Sequence, residues 1–119
     1  IPNTYFIYPN FAVFLRVLRI FVAKGLLSED YAIAPKSSWA DFVFNENYQL
    51  PTIFEVDAYV KENKHLPDVP SAKQVAEEGY SQHDMNKVLL QKIEELTLYT
   101  IQQQKEIQEL KAELNNLKK

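Results

Sequence analysis

A heptad repeat of apolar residues runs through the last third of the chain and constrains its fold more than any other feature. With Ile93 at position a, Leu or Ile fills seven of the ten a and d positions between residues 86 and 117. The a positions are Asn86, Ile93, Thr100, Ile107 and Leu114, and the d positions are Leu89, Leu96, Gln103, Leu110 and Leu117. A repeat of this regularity predicts a left-handed coiled coil formed with a helix of another chain.

A single amphipathic helix packed on its own domain is the alternative interpretation. Before residue 100 this alternative has support, because Leu90, Leu98, Tyr99 and Ile101 widen the apolar face beyond the a and d positions. After residue 103 only the narrow a/d stripe is apolar, and such a stripe is typical of a coiled coil. The pattern therefore favours an intermolecular coiled coil.

The charges beside the stripe favour a parallel arrangement of the helices in the coiled coil. Glu106 and Glu113 occupy g positions. Lys111 follows Glu106 at the next e position, and Lys118 follows Glu113 in the same way. In parallel helices that are in register, these residues form g-to-e pairs of opposite sign. Exposed pairs of this kind contribute little energy, but their signs influence which orientation forms.

Three polar residues interrupt the stripe, with Asn86 at its start and Thr100 and Gln103 in its middle. Buried polar side chains destabilise a coiled coil unless they bond one another, so they are expected to fix the register. Mixed Ile and Leu at a positions, with Gln at a d position, favours a homotrimer over a dimer.

The sequence contains three signals for the start of a helix, two before the heptad repeat and one at the start of the helix that carries it. Thr52 and Ser71 are each followed three residues later by Glu55 or Gln74, the pattern of a capping box, and Ser81 begins a looser third signal. Pro67 and Pro70 prevent the joint between the first two helices from being helical. The predicted helices run from residue 52 to about 63, from 71 to 79, and from 82 to the end.

Upstream of these helices the sequence favours extended structure. Residues 14–22 are β-branched and aromatic, which favours a strand, although a short amphipathic helix is also compatible. Residues 31–44 are predicted to form two short extended pieces. The fold class is thus mainly α, with short β segments at the N-terminal end, a small helical module at 39–80 and a long parallel coiled coil at 81–119.

Composition argues against several classes of function. The net charge is −3 and there is no large basic block, so binding to nucleic acid has no electrostatic basis. A dimeric zipper that binds DNA is excluded, because residues 76–87 are acidic and contain Gly79. The longest apolar stretch, residues 11–23, is too short to span a membrane and contains Arg16 and Arg19.

No residue pattern indicates an enzyme, a cofactor or a metal site. The chain has no cysteine and two glycines. His65 and His83 lack further ligands nearby and are expected at the surface. Glu94 and Glu95 are adjacent on a helix, where side chains diverge, and both are expected to be solvated.

Several blocks of the chain resemble the C-terminal module of bacterial tail-fibre-domain and cell-surface fibrous proteins. The blocks are Trp39-Ala-Asp-Phe-Val-Phe44, Tyr48-Gln-Leu-Pro51, Tyr59-Val-Lys-Glu-Asn-Lys-His-Leu-Pro67, Pro70-Ser-Ala72 and Leu89-Leu-Gln-Lys-Ile-Glu-Glu-Leu-Thr-Leu-Tyr99. The resemblance implies a trimerisation and registration cap outside the cell, at a cell surface or on a virion. It also implies that residues 1–38 end a β-rich shaft, and that the upstream chain of a longer protein binds an unidentified surface ligand.

The chain is similar, more loosely, to the self-cleaving C-terminal chaperone of phage tail spikes. That family cleaves itself with a serine and a lysine in a Ser-Asp-x-x-x-Lys context. Here Ser28-Glu29-Asp30 has no lysine in register, so cleavage is not carried over. Such a chaperone, or a dimeric coiled-coil tail of a secreted multidomain protein, is the alternative to a permanent trimeric cap.

Overall fold

The computed structural model describes residues 22–119, and the chain divides into two units, Ile1–Pro35 and Lys36–Lys119. The second unit contains three helices. These are α1 (Ile53–Asn63), α2 (Ala72–Glu78) and α3 (Gln82–Leu117). The predicted helix–turn–helix–turn–helix order is confirmed, and each boundary lies within a residue or two of the predicted one.

The predicted β segments are not shown. No strand forms between residues 22 and 119, and the predicted strand at 14–22 lies almost wholly outside the described residues. Residues 31–44, where two extended pieces were predicted, contain no strand, and the chain turns between Phe42 and Tyr48. The amide of Asn45 donates to the carbonyl of Phe42 at 3.2 Å, and that of Tyr48 donates to Asn45 at 3.1 Å. These two hydrogen bonds are local turn bonds and do not pair the segment with a strand.

The helix starts have the predicted caps. At α1 the amide of Glu55 donates to the Thr52 hydroxyl at 3.1 Å, and the amide of Thr52 donates to the Glu55 carboxylate at 2.8 Å. Ser71 and Gln74 form the same reciprocal pair at α2. Ser81 caps α3 by accepting from one amide only. These bonds satisfy amides that the first turn of a helix leaves free.

A tight turn joins α1 to α2. The amide of Val69 donates to the carbonyl of Leu66 at 3.2 Å, and Asp68 between them has a φ of 65°. With Pro67 at the second position and a positive φ at the third, this arrangement has the features of a type II turn. The turn brings the Asp68 carboxylate within 3.3 Å of the Lys92 ammonium on α3.

Residues 38–51 run alongside α3 in the same direction and form the contact between the module and the long helix. The carbonyl of Ser38 lies 3.2 Å from His83 Nε2, and the carbonyl of Pro51 accepts from the Tyr99 hydroxyl at 2.6 Å. Ala40 and Val43 between these points are almost fully buried. The module thus packs against one face of the first half of α3.

The end of α1 provides a test of backbone strain. Lys64 caps α1 in the left-handed region, with a φ of 63°, where a glycine has no steric cost. We expect Lys64→Gly to raise the free energy of unfolding by about 0.5–1 kcal/mol. The control Lys61→Gly, inside α1, should lower it by about 1 kcal/mol. Urea unfolding of both variants at one protein concentration distinguishes the two signs, and equal destabilisation would contradict the proposed strain at Lys64.

Candidate functional site

The two faces of α3 have opposite environments between residues 88 and 99. Glu95 and Tyr99 face the module and are each 7% exposed. Ile93 and Leu96, at a and d positions of the predicted repeat, are 60% and 62% exposed. The module therefore covers the face that carries the c and g positions and leaves the a/d stripe in solvent.

The a/d stripe stays exposed to the end of the helix. Every residue from Thr100 to Lys119 is exposed in the single chain. The apolar members of the stripe, each more than two fifths exposed, are Leu89, Ile93, Leu96, Ile107, Leu110, Leu114 and Leu117. An apolar stripe of this length is unusual on a lone soluble chain and is typical of a surface that contacts a partner.

The three polar residues of the stripe differ in how they are bonded. The Thr100 hydroxyl donates to the carbonyl of Leu96 at 2.9 Å, so it has a partner within its own helix. The Asn86 side-chain oxygen accepts from Gln82 at 3.1 Å. Gln103 lies in the fully exposed stretch. Of the three, Thr100 is thus the least dependent on another chain for a hydrogen-bond partner.

Glu95 was expected to be solvated, and this expectation is wrong. Its carboxylate accepts hydrogen bonds from the Tyr48 hydroxyl, from Gln91 at 3.3 Å and from the Lys92 ammonium at 2.9 Å. Lys92 in turn contacts Asp68, so the cluster joins α3 to two separate segments of the module. A buried carboxylate with this many donors is well compensated for its loss of water.

The neighbouring Glu94 is different. Its Oε2 atom is buried and has no hydrogen-bond partner among the described residues. The two adjacent carboxylates thus diverge, as expected for residues one apart on a helix, but neither is simply solvated. Glu95 is the centre of a satisfied cluster, whereas one carboxylate oxygen of the half-buried Glu94 is buried without a hydrogen-bond partner.

Burial changes the acidity of two tyrosines at this contact. Burial, together with the hydrogen bond to Glu95, raises the pKa of Tyr48 to about 12. Burial also raises the pKa of Tyr99, with a smaller effect from the charges of Glu95 and Glu55. Both phenols are therefore neutral donors at physiological pH.

The histidines and serines considered above have structural contacts. His83 lies near Ser38 and packs at a tilt against Trp39 with ring centroids 5.7 Å apart, and His65 packs edge-on against Tyr59. In the first unit, the Ser28 hydroxyl donates to the carbonyl of Asp30 at 2.7 Å. Over residues 22–119 no three metal-ligating side chains are grouped, and no helix is both long and apolar enough to cross a membrane.

Comparison with known proteins gives no relative from which a function could be transferred: no family model, curated protein or solved structure matches the chain.

The adjacent carboxylates provide a matched pair of variants. We expect Glu95→Ala to lower the free energy of unfolding by roughly 2–3 kcal/mol, because it leaves Lys92, Tyr48 and Gln91 without their shared acceptor. Glu94→Ala should be neutral or stabilising, because it removes a buried oxygen that has no partner. Thermal unfolding followed by circular dichroism measures both, and similar losses for the two variants would contradict the assigned roles.

The raised pKa of Tyr48 predicts a loss of stability at alkaline pH. The folded state holds the phenol proton more tightly than the unfolded chain, whose tyrosines titrate near pH 10. The stabilisation is therefore complete below pH 10 and is lost as the pH rises towards 12. Unfolding free energies of the parent and Tyr48→Phe should converge over this range. Tyr80→Phe, on an exposed side chain, is the control and should follow the parent throughout.

Proposed function

We propose that the chain is a C-terminal trimerisation and registration cap of a fibrous surface or tail-fibre-like protein. The observation that carries the proposal is the exposed a/d stripe from Leu89 to Leu117, on a helix whose other face is occupied by its own module over the first half of its length. The proposed role is assembly, not catalysis.

The size of the stripe argues for a helical partner. α3 has 36 residues, about 54 Å of helix at 1.5 Å per residue. Full burial of a Leu or Ile side chain stabilises by roughly 1.5–3 kcal/mol, and seven such side chains share the stripe. Association through a heptad stripe buries all of them in knobs-into-holes layers, so a parallel coiled coil is the arrangement that we propose.

A second copy of the same chain is the partner that fits the charges. Glu106 and Glu113 at g positions match Lys111 and Lys118 at e positions when identical helices are parallel and in register. We favour three chains over two because Ile and Leu are mixed at a positions and Gln103 occupies a d position. Gln103, together with Asn86, would then bond across the bundle and disfavour shifted registers.

The proposed mechanism is local concentration. Zipping α3 of three chains holds their upstream segments together, which lowers the loop-closure entropy opposing the slow pairing of intertwined β structure. The modules at 39–80 would lie around the N-terminal end of the bundle, where each packs on its own helix. The resemblance to fibrous surface proteins supports a location outside the cell, at a cell surface or on a virion.

A pair of aspartate variants tests the proposal. Leu110 is at a d position and Ala112, two residues later, is at an f position on the outer face of the bundle. We expect Leu110→Asp to weaken association by at least roughly 100-fold, because it gathers one carboxylate per chain in a partly desolvated layer. Ala112→Asp adds the same charge and should leave association unchanged.

Sedimentation equilibrium of the parent and both variants is the measurement. The parent should have the mass of three chains. A parent mass of one chain would overturn the proposal, and a mass of two chains would favour the dimeric tail instead. Equal behaviour of Leu110→Asp and Ala112→Asp would show that the stripe is not the interface.

A further inference from the structure

An apolar groove of about 540 Å³ lies between the module and α3. One wall is formed by Leu89, Ile93 and Leu96, which are a and d residues of the stripe. The other wall is formed by Val56 of α1 and by Leu66 and Pro67 of the tight turn. The groove is thus continuous with the stripe, because three side chains belong to both.

We propose that this groove receives α3 of a second copy of the chain, along the side of that helix that carries the e positions Leu90 and Thr97 (the e-position flank). Each module would then bind its neighbour's helix as well as its own. The proposal rests on the proposed function and adds a second contact surface to it. The interface would then have two parts, a coiled-coil seam along the whole helix and a module contact in its N-terminal half.

The position of the groove matches the geometry of parallel helices. Lys92 and Tyr99 line the groove, and both occupy g positions. In a parallel in-register coiled coil, a g residue lies beside the e residue five positions later on the next helix. Thr97 of the second copy therefore lies beside Lys92, and the turn that carries Leu66 stands on the same side, since its Asp68 contacts Lys92.

The polar groups of the groove argue against a small polar ligand. Lys92, whose side chain is 12% exposed, is bonded to both Glu95 and Asp68. Small-molecule sites present a few convergent polar groups to the ligand, whereas these are engaged with one another. A small apolar ligand would fill the groove, but it would leave the rest of the stripe down to Leu117 in water. A second α3 covers both.

The contact repeats around a ring without conflict. The groove of the first copy receives the helix of the second, whose groove receives that of the third, and the third groove receives the first helix. All three contacts are then equivalent, and each chain contributes one groove and one e-position flank. The same rule holds for two chains, so the contact does not depend on the number of copies.

A charge placed in the module wall tests the contact. Leu66 is 44% exposed, so Leu66→Lys should leave the single chain folded. We expect it to weaken self-association at least tenfold, because an ammonium would be buried against apolar side chains. The matched control is Phe54→Lys on α1, since Phe54 is 80% exposed and lies outside the groove. Circular dichroism of each variant checks that the helices are retained.

Cross-linking provides a second measurement that does not depend on a change in affinity. These 119 residues contain no cysteine, so single cysteines can be placed without background reaction. A chain with Leu66→Cys is mixed with a tagged chain with Thr97→Cys and treated with a short bis-maleimide. The expected product is a mixed cross-link. Lys111→Cys, at the e position two heptads beyond Thr97 and about 21 Å further along the helix, should give much less.

The outcomes separate this proposal from the proposed function. A parent that sediments as one chain overturns both. A trimeric parent whose association constant is unchanged by Leu66→Lys, or a cross-link that is absent or equal at Thr97 and Lys111, overturns the groove contact alone. Selective weakening by Leu66→Lys with selective cross-linking at Thr97 supports it.

Discussion

Glu95 is the centre of a hydrogen-bonded cluster that joins α3 to the module, with one donor from the module and two from α3 itself. The Tyr48 hydroxyl comes from the loop before α1, Gln91 and Lys92 come from α3 itself, and Lys92 extends the cluster to Asp68 in the tight turn. The fully apolar part of the core is small, with Ala40 and Val43 at its centre. A module with so little apolar burial depends on polar contacts that lose much if any member is removed.

The direction of Glu95 determines which surface of α3 remains available. Glu95 is at a c position, and the side chains that pack with it, such as Tyr99, lie at c, f and g positions. Successive helical residues are about 100° apart, so attachment through this face leaves the a and d positions beside the module and open to solvent. The cluster thus orients the stripe as well as attaching the module. This connection supports a view of the module as a part of the proposed assembly surface.

Local features of the sequence predicted the helices well, because a capping box is complete within four residues and a proline acts on its immediate neighbours. Thr52, Ser71 and Ser81 cap where they were expected to. The role of Glu95 could not be obtained in this way. Its partner Tyr48 is 47 residues away, and a glutamate on a helix rich in charge has the local pattern of a solvated residue. The signal that could have found the contact was the widened apolar face at Leu98 and Tyr99, which indicated a second packing surface.

The shared residues of stripe and groove have a thermodynamic consequence. Leu89, Ile93 and Leu96 contribute to both surfaces, so any partner that binds them also contacts a cleft that exists only when the module is folded. Binding that is selective for the folded state stabilises it by mass action. Under the proposed assembly, the unfolding midpoint of the module would therefore rise with protein concentration, because association stabilises the folded module. In the proposed trimeric cap, unfolding of the modules would remove the groove contacts and weaken the association that holds the upstream chains together.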